Sequence, residues 1–253
     1  MTTPVLLIPG GASSATDFYP RIPQALAGHP VVVADRPGTG TQVGNGPARL
    51  ANGAAFWADE LRKVSDQPAV VVGQSLGGAV ALQLAVDFPE LVAGLVLVDP
   101  TPFDDAKLVA SVTKLFTLLG LPGRLPVVGR RVDRLLFRAM SRDLKNADPD
   151  VQVSLAALVG SATLAQTAAA IQDLPGEGAL LAPRLRDLGV PAVLITADRK
   201  PGHRVTARHE ALAKVIGARV ETWPGAVHAA HLSHPDKVLA LVQGVLEETA
   251  VRA

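Results

Sequence analysis

Ser75 sits in the stretch Gly73-Gln74-Ser75-Leu76-Gly77-Gly78, and three histidines, His228, His231 and His234, recur at three-residue intervals near the C-terminus. A serine hydroxyl is a poor nucleophile at neutral pH unless an adjacent base takes its proton, and that base, commonly histidine, is oriented by a carboxylate. The chain supplies these parts in the order Ser75, aspartate, His228, with Asp99 and Asp198 each standing just after an apolar run. Ser75 also has a plainer reading, as a small residue in a tight strand-to-helix turn. The histidines have one too, as a metal site of form HxxHxxH, but Asp236 is the sole nearby carboxylate to complete such a set, so no metal is expected. His231 and His234 read instead as pocket-rim or helix-start residues, and His29, His203 and His209 as surface residues. With no cysteine in the chain, thiol nucleophiles, disulfides and thiolate metal ligands are excluded together.

These side chains need elements to hold them. Short runs rich in Val, Leu and Ile recur at Val5–Ile8, Val31–Ala34, Val70–Val72, Leu95–Val98, Ala192–Thr196 and Arg219–Trp223. Such runs suit parallel strands buried on both faces, and the segments between them are long enough for crossover helices. Helices are expected over Ala51–Val64, Gly77–Asp87, Val205–Ile216 and Pro235–Thr249. In an open parallel sheet, ligands bind where loops leave the carboxyl ends of the strands. Those loops here contain Pro9-Gly10-Gly11, Asp35 to Gly40, Ser75, Asp99, Asp198 and Gly225 to His228.

Between Pro100 and Leu188 the strand signals vanish and helical patterns take over, including Lys107–Leu119 and Val132–Ala139. An insertion of this size is more than a loop. It predicts a helical lid, with Gly120–Gly129 as a connector inside it and Pro175–Gly178 as a break near its end. Arg130, Arg134 and Arg138 share one helical face there, which could receive an acidic or phosphate-bearing carrier or could simply be a solvated face.

Composition narrows the class. Of 253 residues, 48% are hydrophobic and 19% charged, and the formal net charge is +1, so neither disorder nor a polyanion-binding surface is indicated. Nucleic acid is not an expected partner. The N-terminal MTTPVLLIPGG lacks a basic segment and a sustained apolar run, so no signal peptide is expected. No apolar stretch approaches the roughly 20 residues of a membrane helix. The expectation is a cytoplasmic protein without membrane contact. The glycines at 38, 40, 44 and 46 do not fit GxGxxG, and no GxxxxGK[ST] occurs. No cofactor is therefore expected.

The stretches described so far resemble the α/β-hydrolase superfamily across most of the core. VVVGQSLGGAVALQLA resembles its nucleophile elbow, and Pro9-Gly10-Gly11 its His-Gly-x oxyanion segment, with proline in place of histidine. Asp35 to Gly40, DRPGTG, is similar to the family's Asp-x-x-Gly-x-Gly loop. PGAVHAAHLSHPDKV resembles its Gly-His segment and last helix, with Val227 in place of glycine. The family's usual N-terminal hairpin is expected to be missing.

The resemblance implies an oxyanion hole from the backbone N–H groups of Gly11 and Leu76. It also implies an acid at the position held here by Lys200, which cannot orient an imidazole; some members take the acid from the strand after the nucleophile helix, which here ends at Asp99. Asp99 is the preferred acid and Asp198 the alternative. The expected fold is α/β, a mostly parallel sheet with helices on both faces, in a single domain over 1–253 with its core in 1–99 and 189–253 and the lid over about 100–188. The expected function is a serine hydrolase acting on a small-molecule ester, thioester or lactone. A thioesterase or acyltransferase, or a non-catalytic binding protein on the same scaffold, is the alternative.

Overall fold

A computed structural model of the chain describes residues 2–11, 14–15, 17–42, 44–46, 48–120, 129–144, 147–161 and 164–252. Six strands, β1 (Val5–Ile8), β2 (Val31–Val33), β3 (Ala69–Gln74), β4 (Val92–Val98), β5 (Ala192–Ile195) and β6 (Arg219–Glu221), form one sheet in the order β2-β1-β3-β4-β5-β6. Every pairing is parallel. The helices in chain order are α1 (Ile22–Ala25), α2 (Leu50–Val64), α3 (Leu76–Asp87), α4 (Ala106–Gly120), α5 (Gly129–Met140), α6 (Pro149–Ser161), α7 (Leu164–Ile171), α8 (Leu174–Leu181), α9 (Arg204–Ile216), α10 (Ala230–Ser233) and α11 (Pro235–Arg252).

The central strands are apolar without a break because both of their faces are covered, each by alternate residues. Leu6, Ile8, Val71, Leu95, Leu97 and Leu194 point to the face packed by α2, α3 and α9. Val5, Leu7, Val70, Val72, Val96, Val98, Val193 and Ile195 point to the opposite face, against α1 and α11. Helix α2 shows the matching helical spacing, with Leu50, Ala54, Trp57, Ala58 and Leu61 buried. The outer strands depart from the expectation of two buried faces: β2 leaves Val33 half-open and β6 is exposed along Arg219 and Val220, as edge strands with only one neighbour can be.

Helices α4 to α8 all lie between β4 and β5 in sequence, where no strand was expected. The stretch Pro175–Gly178 is not a break: it lies inside α8, with Pro175 in the first turn, where a missing N–H leaves no hydrogen bond unmade. Of the expected connector, residues 121–128 lie outside the described residues, as does the side chain of Arg130. Among the described residues no helix is long and apolar enough to cross a membrane.

Candidate active site

Ser75 follows the last residue of β3 in a conformation of φ 52° and ψ −117°. For a residue with a Cβ this costs on the order of 1–3 kcal/mol, so the surroundings must impose it. They do: the Ser75 N–H donates to the Val98 carbonyl at 3.0 Å, and the Ser75 carbonyl accepts from Gly78 and Thr101 amides at 3.0 and 2.9 Å. The turn is too tight for side chains on either side. A Cβ at Gly73 would lie 2.4 Å from the Gly77 carbonyl oxygen, and one at Gly77 would lie 2.4 Å from that of Ile8. The serine is thereby lifted clear of strand and helix.

Strand register brings the remaining parts to it. Gln74 is paired with Val98, and Val98 with Ile195, so Ser75, Asp99 and Thr196 each begin the loop after one of three adjacent strand ends. The loop after β6 completes the group. His228 Nε2 lies 3.0 Å from Ser75 Oγ, and His228 Nδ1 lies 2.5 Å from Asp99 Oδ2. Since a carboxylate only accepts, Nδ1 carries the proton donated to Asp99 and Nε2 is left to accept from the serine hydroxyl. Gln74 Nε2 donates to the His228 carbonyl at 3.1 Å, so the residue beside the serine also holds the backbone of the histidine.

Asp99 is buried, with φ 43°, and both its carboxylate oxygens are engaged. Oδ1 accepts from the Ala197 amide and from Arg199 Nη1, both at 2.8 Å; Oδ2 accepts from His228 and from Arg199 Nη2, each at 2.5 Å. Burial by itself would raise the Asp99 carboxyl, but donation and charge from His228 and Arg199 outweigh it and hold the group well below the usual carboxylate range.

Behind this pair stands His209, fully buried rather than on the surface as expected. Its Nε2 donates to the Pro100 carbonyl at 2.7 Å, so in the neutral ring Nδ1 accepts from the Thr196 hydroxyl at 2.9 Å, and Thr196 Oγ1 in turn accepts from Arg199 at 3.2 Å. Burial pushes His209 below its ordinary value more strongly than the nearby Asp99 raises it.

The other expected residues fall as follows. Asp198 is exposed, and its carboxylate accepts from the Gly225 amide at 2.9 Å while the His228 ring meets Asp99 instead; its own amide donates to the Ala226 carbonyl at 2.7 Å. It pins the loop that carries the histidine. Gly11 and Leu76 both line the cavity that opens over Ser75, and the Leu76 amide begins α3, where the first N–H groups have no intrahelical acceptor. His231 lines the same cavity, whereas His234 lies at the start of α11 with its ring bonded to Ser233 Oγ at 2.9 Å. Among the described residues no group of three or more His, Asp or Glu side chains is placed to hold a metal ion.

The cavity measures about 450 Å³ and runs from Ser75 to the inserted helices, with Leu108, Val109, Val112 and Phe116 of α4 among its walls. Its apolar lining and few polar groups are what a small-molecule pocket needs. Three neighbours of the site had not been read from the sequence: Arg199, Thr101, whose Oγ1 lies 3.3 Å from Ser75 Oγ, and Gln74. Arg199 follows Asp198 in a loop already marked as a strand end, and a cation adjoining that aspartate candidate was the available signal.

The sequence profile described as "Alpha/beta hydrolase family" matches residues 5–241. A pimeloyl-[acyl-carrier protein] methyl ester esterase of Photorhabdus laumondii subsp. laumondii is 29% identical over 226 residues, which cover 83% of this chain and 79% of that protein. Among solved structures, MenH from S. aureus superposes with a TM-score of 0.77 at 16% identity, over 99% of this chain and 96% of that one. A thermophilic esterase from Thermogutta terrifontis superposes with a TM-score of 0.74 at 21% identity, over 98% and 91% of the two chains. At such identities the structural likeness is one of fold.

Proposed function

The chain belongs to the alpha/beta hydrolase family, and from that premise we propose that it is a serine hydrolase cleaving an ester, thioester or lactone carbonyl through an acyl-enzyme on Ser75. The observation that carries this reading is the hydrogen-bonded row Ser75 Oγ, His228 and Asp99, at 3.0 and 2.5 Å, at the base of an apolar cavity. Ser75 Oγ attacks the carbonyl carbon while His228 Nε2 takes its proton, and Asp99 holds the ring in the required tautomer and faces the imidazolium. The oxyanion forms against the amides of Leu76 and Gly11, each such donor being worth about 3 kcal/mol. On collapse His228 protonates the leaving alcohol or thiol; it then removes a proton from water, which attacks the acyl group and frees Ser75.

The helices between β4 and β5 act as a lid whose walls choose the substrate, a small molecule with an apolar portion. Similarity to a methyl ester esterase supports an ester among the three carbonyl classes. A serine at the elbow is unsuited to alkyl displacement, which needs a carboxylate nucleophile.

A fluorophosphonate probe tests the mechanism directly. The wild type is expected to label at one site, Ser75→Ala to lose labelling together with hydrolysis of chromogenic esters, and His228→Ala to label at least 10³-fold more slowly, in line with loss of a triad base. A wild type that does not label removes the reading.

A further inference from the structure

His231 stands three residues after His228, in α10, and lines the same cavity as Ser75. It is 2% exposed, and neither ring nitrogen has a hydrogen-bond partner among the described residues. One face of the ring is covered by Phe18, with centroids 4.6 Å apart and planes 15° from parallel, and Tyr19 lies at 5.1 Å. Burial, with a smaller contribution from His228, pushes the ring down to about 3, so it is neutral at working pH and offers one N–H donor and one bare nitrogen acceptor.

Among the described residues, every other polar side chain in the cavity wall is already engaged. Gln74 donates to the His228 carbonyl, Ser141 to that of Phe137, Thr101 meets Ser75, Arg199 is spent on Asp99, and Thr167 has a partner. Buried polar groups are normally matched, because leaving one unmatched forfeits its hydration with no return. His231 lines the cavity with both ring nitrogens closed to a water molecule, so, with no partner among the described residues, the imidazole is matched when a polar atom enters the cavity and the ring turns to meet it.

We propose that His231 is the specificity-determining residue of the cavity, and that the preferred substrate is an ester or thioester whose cavity-bound portion carries an oxo or hydroxy group. A ketone oxygen takes the imidazole N–H, and a hydroxyl can bond either nitrogen. A plain hydrocarbon of the same length leaves both nitrogens unmet, and a site built to bond a substrate oxygen rejects the analogue lacking it. This inference rests on the serine-hydrolase reading of Ser75.

The test is a panel of chromogenic esters in which one methylene at a time is replaced by a carbonyl, in an acyl series and in an alcohol series. In the wild type at least one oxo ester is expected to exceed its hydrocarbon parent in kcat/KM by about tenfold or more, one buried hydrogen bond's worth. His231→Phe keeps the stack on Phe18 and removes both nitrogens; it should lose that preference while still turning over the parent ester. His231→Gln, which restores a donor and an acceptor, should recover part of it. No oxo preference at any position in the wild type overturns the proposal, as does a preference undiminished in His231→Phe. Should that variant fail to fold, the wild-type panel and His231→Gln decide. A wild type that neither labels with fluorophosphonate nor hydrolyses any ester removes the underlying reading. One that labels and hydrolyses without preference removes His231 alone.

Discussion

Strands β1, β3, β4 and β5 are closed to solvent almost throughout, whereas the helices between β4 and β5 leave Leu118 of α4 62% exposed and Leu135 of α5 68% exposed. The two regions are also attached differently. The sheet is held by continuous apolar packing on both faces, while the inserted segment adds ion pairs at its rim, Arg21 to Asp148 and Asp150 and Arg49 to Asp173. Exposed pairs of this kind contribute about 0–1 kcal/mol each. On the proposed reading, the groups that react stand on the closely packed region, and the walls that meet the substrate's variable part belong largely to the more exposed one.

The sharpest way to break this contrast is at the rigid edge. Asp99→Asn should lower kcat/KM about 10³–10⁴-fold, because the amide no longer enforces the tautomer that leaves Nε2 free. Asp198→Asn retains an oxygen for the Gly225 amide and should stay within about threefold of wild type, an interaction of this neutral kind being worth little over 0.5 kcal/mol when conserved in form. Measured side by side on one chromogenic ester, the reverse ranking would move the acid to Asp198.

Stability probes the contrast at the next size down. Leu97→Ala opens a void in a fully buried strand and should cost about 2–5 kcal/mol in urea unfolding, while Leu118→Ala, on the exposed side of α4, should change it by about 0.5 kcal/mol or less. Equal costs would mean that the two regions share one packing regime.

The smallest expected effect concerns acid. The His231 ring is held down to about 3 in the fold against about 6.5 unfolded. Between those values the unfolded chain binds more protons, so this contribution is complete above 6.5 and is lost as the pH falls toward 3. From pH 7 to 5 the wild type should lose about 2 kcal/mol more than His231→Phe. Identical losses in urea titrations at the two pH values would count against a neutral buried ring.

Much of this architecture could be read from the residues. Continuous Val, Leu and Ile runs marked the buried strands because short, β-branched-rich runs suit a parallel sheet covered on both faces. Gly73 and Gly77 flagged the elbow because their absent Cβ atoms are what its closure demands. The errors came where meaning depends on a neighbour distant in sequence. His209 sits among polar residues on α9, yet the turn it occupies faces Pro100 and Thr196. Arg199 gains its role only from the pairing of β4 with β5, which sets it against a carboxylate a hundred positions earlier. Pro175 looked like punctuation and opens a helix instead, since the same ring that interrupts a helix is harmless in its first turn.

Helix α9 carries two sets of attachments within six residues. Arg204 and Arg208 grip Asp105 and Asp104, where the inserted segment leaves the sheet, and His209 anchors the Thr196–Arg199 relay that ends on Asp99. The helix is thus a common mount: whatever reseats the start of α4, a bulky substrate or a substitution at Asp105, pulls on the bracket that sets the angle of the carboxylate. A library confined to that rim would be screening reactivity as well as fit.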